Sequence, residues 1–309
     1  MADTRTRRPD LEAAEYKAPS YLTPMVFPML PRAMRQGTLY FQDILADIAA
    51  QTGRTAGNAP TENTIADANT TYNLENDEFI DREKIPDGDI AGLGGLDMAQ
   101  MKAARKGKRA VGEAIEDLTV ANLLANGSVS YVDIASSFLA AVDLGRDTLQ
   151  DYAEGRIALC LSQRLFSLVK RYDEVIERMK FTGVIASGLT DVRSISQMQL
   201  AAALNLDLVM TGPNTAWYDQ SATYQDRAAL VVLPDMNAGP DEELQAGRTL
   251  WFSATGAMPT AEAMFEVHTW YSEDKVSEMC DVRAYAEQKV LNAELIYGLD
   301  GLDTDLLPS

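Results

Sequence analysis

The chain has 309 residues, of which 46% are hydrophobic and 24% are charged, as in a folded soluble protein with one large or two modest domains. Its 27 basic and 46 acidic side chains give a formal charge of −19, which argues against a surface that wraps nucleic acid on all sides. No run of about 18 apolar residues occurs, so we expect no membrane-spanning helix.

The first 37 residues carry five of the twelve prolines, which lack an amide donor and disfavour helix at the preceding residue. We therefore expect residues 1–37 to form an extended arm. Its apolar side chains, which include Tyr21 and Phe27, need burial that the arm cannot give itself. The arm must therefore lie on the rest of the fold or on a neighbouring molecule.

Two strand-like segments follow, at residues 38–47 and 72–85. They enclose residues 49–71, in which Ile65 is the only large apolar side chain. Structureless insertions of this length are usually functional or disordered. We interpret the segment as a long hairpin that projects from the body and is held by a partner; a disordered surface loop is the alternative.

Residues 96–126 have the strongest helical pattern in the chain, because apolar side chains recur at three- and four-residue steps. Asp97 is the predicted N-cap, and the Asn-Gly pair at 126–127 is the predicted stop. At ~1.5 Å per residue the helix would be about 45 Å long. Gly107 and Gly112 are its weak points.

Apolar strands then alternate with helices, which predicts a sheet that helices cover on both faces. The predicted helices are 131–153, 162–180 (with Ser162 as cap) and 194–205, and the predicted strands are 156–161, 206–212 and 227–234. The tail differs, because residues 247–252, 262–271 and 279–297 are predicted strands of an antiparallel sheet. The predicted fold class is α+β, with two subdomains.

No catalytic motif of useful specificity occurs. The chain lacks a G-x-x-x-x-G-K-[ST] phosphate loop, and the glycine run at 92–95 lacks the third glycine of a dinucleotide fingerprint. The single histidine, His268, lies in a strand-like segment and excludes a histidine-rich metal site. Two distant cysteines, Cys160 and Cys280, make no metal-ligand spacing. We expect no enzyme activity, no cofactor and no metal.

Basic residues cluster in two places of this acidic chain. One cluster lies in the arm and the other in the long helix: Arg5, Arg7 and Arg8, and Lys102, Arg105, Lys106, Lys108 and Arg109. Residues 38–97, in contrast, carry 12 acidic and 3 basic side chains. The clusters fit three interpretations: a contact with the acidic hairpin of another subunit, a face toward nucleic acid, or a solvated helix surface.

The order of these parts resembles that of tailed-bacteriophage major capsid proteins, whose fold is shared with encapsulins and the floor domain of herpesvirus capsids. That family runs as N-terminal arm, projecting hairpin (the E-loop), spine helix in a peripheral P-domain, axial A-domain, and a return to the P-domain sheet. The segments that carry the resemblance are YLTPMVFPMLPRAMRQGTLYF (21–41), IALCLSQRLFSLVKRYDEVIERMKF (157–181), LAAALNLDLVMTGPNTAW (200–217) and VRAYAEQKVLNAELIYGL (282–299).

The resemblance implies the tailed-phage major capsid fold, in five parts. These are the arm (1–37), the E-loop hairpin (38–95), the P-domain spine helix (96–130), the A-domain (131–260, with P-domain connections at its edges) and the P-domain strands with the C terminus (261–309). Residues 38–83 contain no lysine, so we do not expect the Lys–Asn cross-link that some family members form from this hairpin.

The implied function is a structural subunit that assembles into the icosahedral head shell around double-stranded phage DNA. Implied partners are many copies of itself in pentamers and hexamers and, non-specifically, the packaged DNA; scaffold, portal and decoration proteins are further candidates. The implied location is the virion capsid, assembled in the host cytoplasm. The alternatives are an encapsulin-type compartment around an enzyme cargo and a nucleotide-using α/β enzyme.

Two sets of residues are candidates for these contacts. The intersubunit set is Tyr21, Phe27, Tyr40, Phe41, Phe79 and Ile80, because apolar and aromatic anchors are enriched at interface cores. The interior basic face is Arg5, Arg7, Arg8, Lys102, Arg105, Lys106, Lys108 and Arg109.

Overall fold

A computed structural model describes residues 6–12, 21–43, 68–75, 78–131, 138–153, 155–183, 195–218, 226–235, 240, 243–252 and 264–302. The strands are β1 Thr6–Arg7, β2 Met29–Arg32, β3 Gln36–Phe41, β4 Ala68–Asn73, β5 Glu78–Pro86, β6 Ser128–Tyr131, β7 Arg156–Ser162, β8 Leu208–Gly212, β9 Ala228–Leu233, β10 Gly247–Phe252, β11 Glu266–Ser272, β12 Ser277–Val290 and β13 Ile296–Asp300. The helices are α1 Pro9–Glu12, α2 Thr23–Val26, α3 Asp87–Ile90, α4 Leu96–Ala125, α5 Phe138–Gln150, α6 Gln163–Val169, α7 Asp173–Phe181, α8 Gln197–Leu204 and α9 Asn214–Tyr218. None of the helices within these ranges is long and apolar enough to span a membrane.

One sheet is built around the long strand β12. The strand order is β1-β11-β12-β10-β2, and β5 also pairs with β12. Side chains alternate along β12, so Cys280 and Val282 pack under α4 with Val111 and Ile115, while Asp281 lies on the opposite face. The long amphipathic helix and the half-buried sheet therefore bury each other's apolar faces.

The second sheet has the strand order β6-β13-β9-β7-β8 and mixes parallel and antiparallel pairs. All six residues of β9 are buried, as are the residues of β7 from Ile157 to Ser162. Strands buried on both faces have continuous apolar sequences. This confirms the prediction of a covered sheet.

The predicted hairpin is present at its base. β3 and β4 pair antiparallel with Tyr40 opposite Asn69. The predicted return strand 72–85 is wrong as a single element, because its second half is β5 and belongs to the six-stranded sheet. The part of the hairpin between residues 44 and 67 lies outside the described residues.

The ends of α4 test two sequence predictions. The helix begins at Leu96 after Gly95, so the prediction of Asp97 as N-cap is wrong. The stop is confirmed: Asn126 is extended, and Gly127 has φ +85°, a left-handed conformation that glycine adopts without steric cost. The predicted Ser162 cap is also confirmed, because its hydroxyl accepts from the Leu165 amide at 3.1 Å.

The described part of the arm folds back on its own chain. β2 pairs in parallel with β10, and β1 pairs with β11. Leu22, Val26 and Phe27 are buried among residues of the five-stranded sheet. The arm was predicted to lie either on the rest of the fold or on a neighbouring molecule. These described segments lie on the rest of the fold.

The closing strand corrects another prediction. The sequence predicts one antiparallel tail sheet over residues 279–297, but β12 and β13 belong to different sheets. β13 lies between β6 and β9, with Tyr297 opposite Ser128 and Leu230. The C-terminal strand therefore returns to the five-stranded sheet rather than to the sheet of β12.

Candidate functional site

The predicted intersubunit residues of the hairpin differ in exposure. Tyr40 on β3 is 56% exposed and Ile80 on β5 is 46% exposed, so both present apolar surface to solvent. Phe41 is buried, and Phe79 is half-buried against the cluster under α4. The first pair can contact another molecule without any rearrangement.

The two predicted intersubunit residues of the arm are engaged within the chain. The Tyr21 hydroxyl donates to the Arg109 carbonyl at 3.4 Å. Phe27 is 0% exposed and packs in the core of the five-stranded sheet. Phe27 therefore has no surface left for a neighbour, and we omit it from the proposed contact.

Four of the five predicted cations of α4 form one exposed stripe, which we call the basic stripe: Lys102, Arg105, Lys106 and Arg109. Lys106 forms an ion pair with Glu83 at 2.7 Å, and Arg109 with Glu113 at 2.8 Å. Lys108 is 0% exposed, because the arm covers its side of the helix and its ammonium group donates to the Glu12 carbonyl at 2.7 Å. Lys108 therefore does not belong to an exposed basic face.

The arginines of the arm pair with carboxylates close to them in sequence. Arg7 lies 2.8 Å from Glu12, and Arg8 lies 2.7 Å from Asp10. The hydrogen bond from Arg8 holds the pKa of Asp10 below its ordinary value. Arg8 also donates to Gln100 of α4 at 2.7 Å, so this part of the arm lies against the helix; Arg5 lies outside the described residues.

The base of the hairpin is attached to the six-stranded sheet on the face opposite α4. Leu39, Tyr72 and Leu74 are buried and pack against Leu250 of β10. The Arg35 guanidinium lies 4.7 Å from the ring centroid of Phe252 and 4.4 Å from that of Tyr285. Stacking of this kind adds about 0.5–1 kcal/mol at exposed sites. Sequence reasoning missed Arg35, because nothing local marks its aromatic partners.

A charged network covers the neighbouring part of that face. Asp281 accepts hydrogen bonds from Arg82 at 2.6 and 3.1 Å and from Arg283 at 3.0 Å, and Arg283 also donates to Glu78 at 3.1 Å. Burial alone would raise the pKa of Asp281, but the hydrogen bonds from the two arginines outweigh it and lower that pKa. The network ties β5 to β12 and leaves Ile80 beside it at the surface.

Three comparisons bear on this architecture. No protein-family model matches the chain, and no curated protein matches it significantly. Solved structures do match: a phage-related protein from Bordetella bronchiseptica has a TM-score of 0.66 at 16% identity, over 97% of this chain and 98% of that one. An encapsulin complex from Synechococcus elongatus has a TM-score of 0.57 at 11% identity, over 94% and 90%. The mature capsid of bacteriophage PhiM1 has a TM-score of 0.54 at 8% identity, over 95% and 89%.

The chain has the tailed-phage major capsid fold. The predicted fold class is therefore confirmed over nearly the whole chain. In this capsid fold the described residues include no cluster of three or more His, Cys, Asp or Glu side chains that could hold a metal ion.

Within the capsid fold, one buried residue escaped the sequence analysis. Glu116 of α4 is 0% exposed and accepts hydrogen bonds from the amides of Leu22 and Thr23 at 2.7 and 3.0 Å. Its burial could have been predicted from the sequence, because Glu116 lies one turn after Gly112 and one turn before Val120 on the same face of α4. Nothing in the sequence indicated, however, that its partners would come from the arm.

Proposed function

We propose that this protein is the shell-forming subunit of a tailed-phage-type capsid, in which many copies enclose double-stranded DNA. The observation that carries the proposal is the match of the complete fold, over 97% of this chain and 98% of a phage-related protein. Capsid chains of cyanophage P-SCSP1u and bacteriophage PhiM1 match over about nine-tenths of their lengths. The proposed location is the virion capsid, assembled in the host cytoplasm.

The proposed parts follow the chain order. Residues 1–37 are the arm, the β3–β4 hairpin is the base of an E-loop, α4 with the six-stranded sheet is the P-domain, and the five-stranded sheet with its helices is the A-domain. The C-terminal strand β13 lies in the five-stranded sheet, so the proposed A-domain includes it.

The proposed contact between subunits uses the exposed apolar side chains of the hairpin base and the adjacent strand. Tyr40 and Ile80 support it, because both are large, apolar and about half exposed. Each contact is modest, but a closed shell repeats it many times, so small energies add to a stable particle.

The proposed DNA-facing surface is the basic stripe. Four cations at three- and four-residue steps can contact successive phosphates without sequence preference. Because Glu83 and Glu113 already neutralise part of the stripe, we expect weak binding that decreases as the salt concentration rises, with a shallow slope.

The test is assembly of the purified full chain, measured by sedimentation and electron microscopy. We expect closed particles, and the double variant Tyr40→Ala/Ile80→Ala should assemble poorly while its circular dichroism is unchanged. The matched control is Leu144→Ala, since Leu144 is equally exposed at 56% but lies on α5, outside the proposed contact. A chain that stays monomeric under all conditions, with scaffold present, would overturn the proposal.

An encapsulin-type compartment is the second candidate, because an encapsulin structure matches about as well as the phage capsids do. The content of the particle distinguishes the two. Absorbance at 260 nm that resists nuclease treatment indicates packaged nucleic acid, whereas a co-purifying enzyme inside the shell indicates a compartment.

A further inference from the structure

The turn between β11 and β12 holds a valine in a conformation that valine rarely adopts. Val276 has φ +44°, and its amide donates to the Glu273 carbonyl at 3.2 Å, which closes the turn. A left-handed backbone strains a β-branched residue, whereas glycine or asparagine would fit here with little strain. The Val276 side chain is nevertheless 62% exposed, so packing within the chain does not compensate for the strain. An apolar side chain kept in this position points to a contact with another molecule.

The surface around that valine is acidic and lies at the end of the six-stranded sheet, beside the end of β5. Tyr271 is 48% exposed, and its hydroxyl donates to the Asp87 carboxylate at 2.9 Å. Among the described residues, no cation pairs with Glu273 or Asp274, and with Lys275 the three carboxylates leave a formal charge of −2. We call the apolar and acidic side chains of this surface the acidic tip: Tyr271, Val276, Asp87, Glu273 and Asp274.

The opposite end of the same sheet carries two partly exposed arginines. Arg35 stacks on two aromatic rings, and Arg32 lies 5.5 Å from the ring centroid of Tyr72. Within the described ranges no carboxylate pairs with either arginine, although the other arginines of this face pair with Asp281. Met34, between the two in the turn from β2 to β3, is 72% exposed. We call these three side chains, Arg32, Met34 and Arg35, the arginine end.

The acidic tip and the arginine end are too far apart to meet within one copy. Tyr285, which lies under Arg35, is eight residues from Ser277, which follows the tip on the same strand. At ~3.3 Å per residue this separation is about 26 Å. The hydrogen-bonded sheet fixes the distance, so the two complementary surfaces can meet only between copies. Contacts between different surfaces of identical copies are head-to-tail and can close into rings.

We propose that the acidic tip of one copy docks on the arginine end of a second copy. The carboxylates of the turn meet the guanidinium groups, whose N–H groups can donate to a carboxylate while the planes stack on aromatic rings. Val276 packs against Met34 in this contact. Opposite charges on the two surfaces fix the orientation and the choice of partner. The inference rests on the proposed shell function and adds a contact to that of Tyr40 and Ile80.

The first test is Val276→Asn, followed by thermal unfolding of the unassembled subunit and by the lowest protein concentration at which particles form. Asparagine tolerates the left-handed backbone, so the unfolding midpoint should rise by about 2 °C. The variant also loses the buried apolar side chain of the contact, so the concentration needed for assembly should rise about tenfold. A residue with only a structural role within the chain would not change stability and assembly in opposite directions.

Val129→Asn is the matched control, because Val129 is also an exposed valine, at 47%, but lies on β6 of the other sheet with an ordinary backbone conformation. It should not raise the unfolding midpoint, and it should assemble at the native concentration. If Val276→Asn assembled as readily as the native chain, or if its unfolding midpoint fell, the proposal would be overturned.

The second test reverses the charges of the contact. Glu273→Lys/Asp274→Lys and Arg32→Glu/Arg35→Glu should each impair assembly at low salt, and the combination of both pairs in one chain should restore it. A combined variant that assembles no better than either pair alone would contradict the contact. If the arginine variant does not fold, Val276→Asn still decides. A native chain that forms no particles counts against the proposed function, whereas a native shell that tolerates all these changes counts against this contact alone.

Discussion

A methyl group added at Gly107 tests how closely α4 lies on the six-stranded sheet. A Cβ atom there would lie 2.5 Å from Val282 Cγ2 and 3.2 Å from the Asp81 carboxylate. Alanine is more favourable than glycine inside a helix by about 1 kcal/mol. Overpacking of a well-filled core costs about 1–3 kcal/mol. Gly107→Ala should therefore lower the free energy of unfolding by about 1 kcal/mol, because the cost of overpacking exceeds the gain in helix propensity.

Gly112→Ala is the matched control, because it makes the same change five residues further along the same helix. Its Cβ would lie 3.1 Å from the Tyr21 hydroxyl and 3.2 Å from the edge of that ring, so the ring needs to shift by only a few tenths of an ångström. The higher helix propensity of alanine should then outweigh the cost of the contact, and the free energy of unfolding should rise by up to about 1 kcal/mol. Chemical denaturation followed by circular dichroism measures both.

Val282→Ala provides the rescue. It removes the Cγ2 methyl that the new Cβ meets at 2.5 Å but keeps the Val282 Cβ at 3.0 Å, so Gly107→Ala should destabilise the protein less in that background than in the native chain. If Gly107→Ala proved as stable as Gly112→Ala in the native background, the close approach of helix and sheet would be refuted.

Three further predictions concern single side chains. Asp281→Asn should cost about 1–3 kcal/mol, because Arg82 and Arg283 lose their carboxylate while Arg82 stays in contact with water and Arg283 keeps its ion pair with Glu78. The pKa of Asp281 lies below 3.8, so its stabilising effect is present above that pH and is lost as the pH falls through the lowered pKa. Denaturation between pH 2 and 6 should therefore show a larger acid loss of stability in the native chain than in the variant. Ser162→Ala should cost about 1 kcal/mol by removing the cap of α6, whereas Ser167→Ala in the same helix, which only donates to the Gln163 carbonyl, should cost less by the same assay. Burial raises the pKa of Cys280 to about 12 and that of Cys160 further, so neither thiol should react with a disulfide reagent until denaturant is added.

The elements that the sequence predicted well are those whose signals are local. The periodicity of α4 extends over eight turns, and its stop is marked by an adjacent asparagine and glycine. The apolar runs of β7 and β9 are buried on both faces, which their composition alone indicates. In each case residues close in sequence carry the information.

The errors concern pairings between distant segments. β12 and β13 have similar strand-like patterns, and only their neighbours in space decide that they join different sheets. Gly107 was considered a weak point of the helix, but the structure gives it another role, as the place where Val282 approaches the helix backbone. A glycine chosen for close packing and one chosen for flexibility look the same in a single sequence.

The position of the arm also depends on contacts between distant segments, and it bears on the proposed function. Its apolar residues were expected to need a neighbour or the rest of the fold, and Leu22, Val26 and Phe27 find their cover within the chain. Under the proposed function, a subunit that shelters these residues would avoid premature association, since large exposed apolar patches promote it. The exposed apolar surface of the described residues then includes separated side chains such as Tyr40 and Ile80, the two residues of the proposed contact. In the proposed shell, association through such small contacts would be weak for one pair of subunits and strong only because the closed particle repeats it many times.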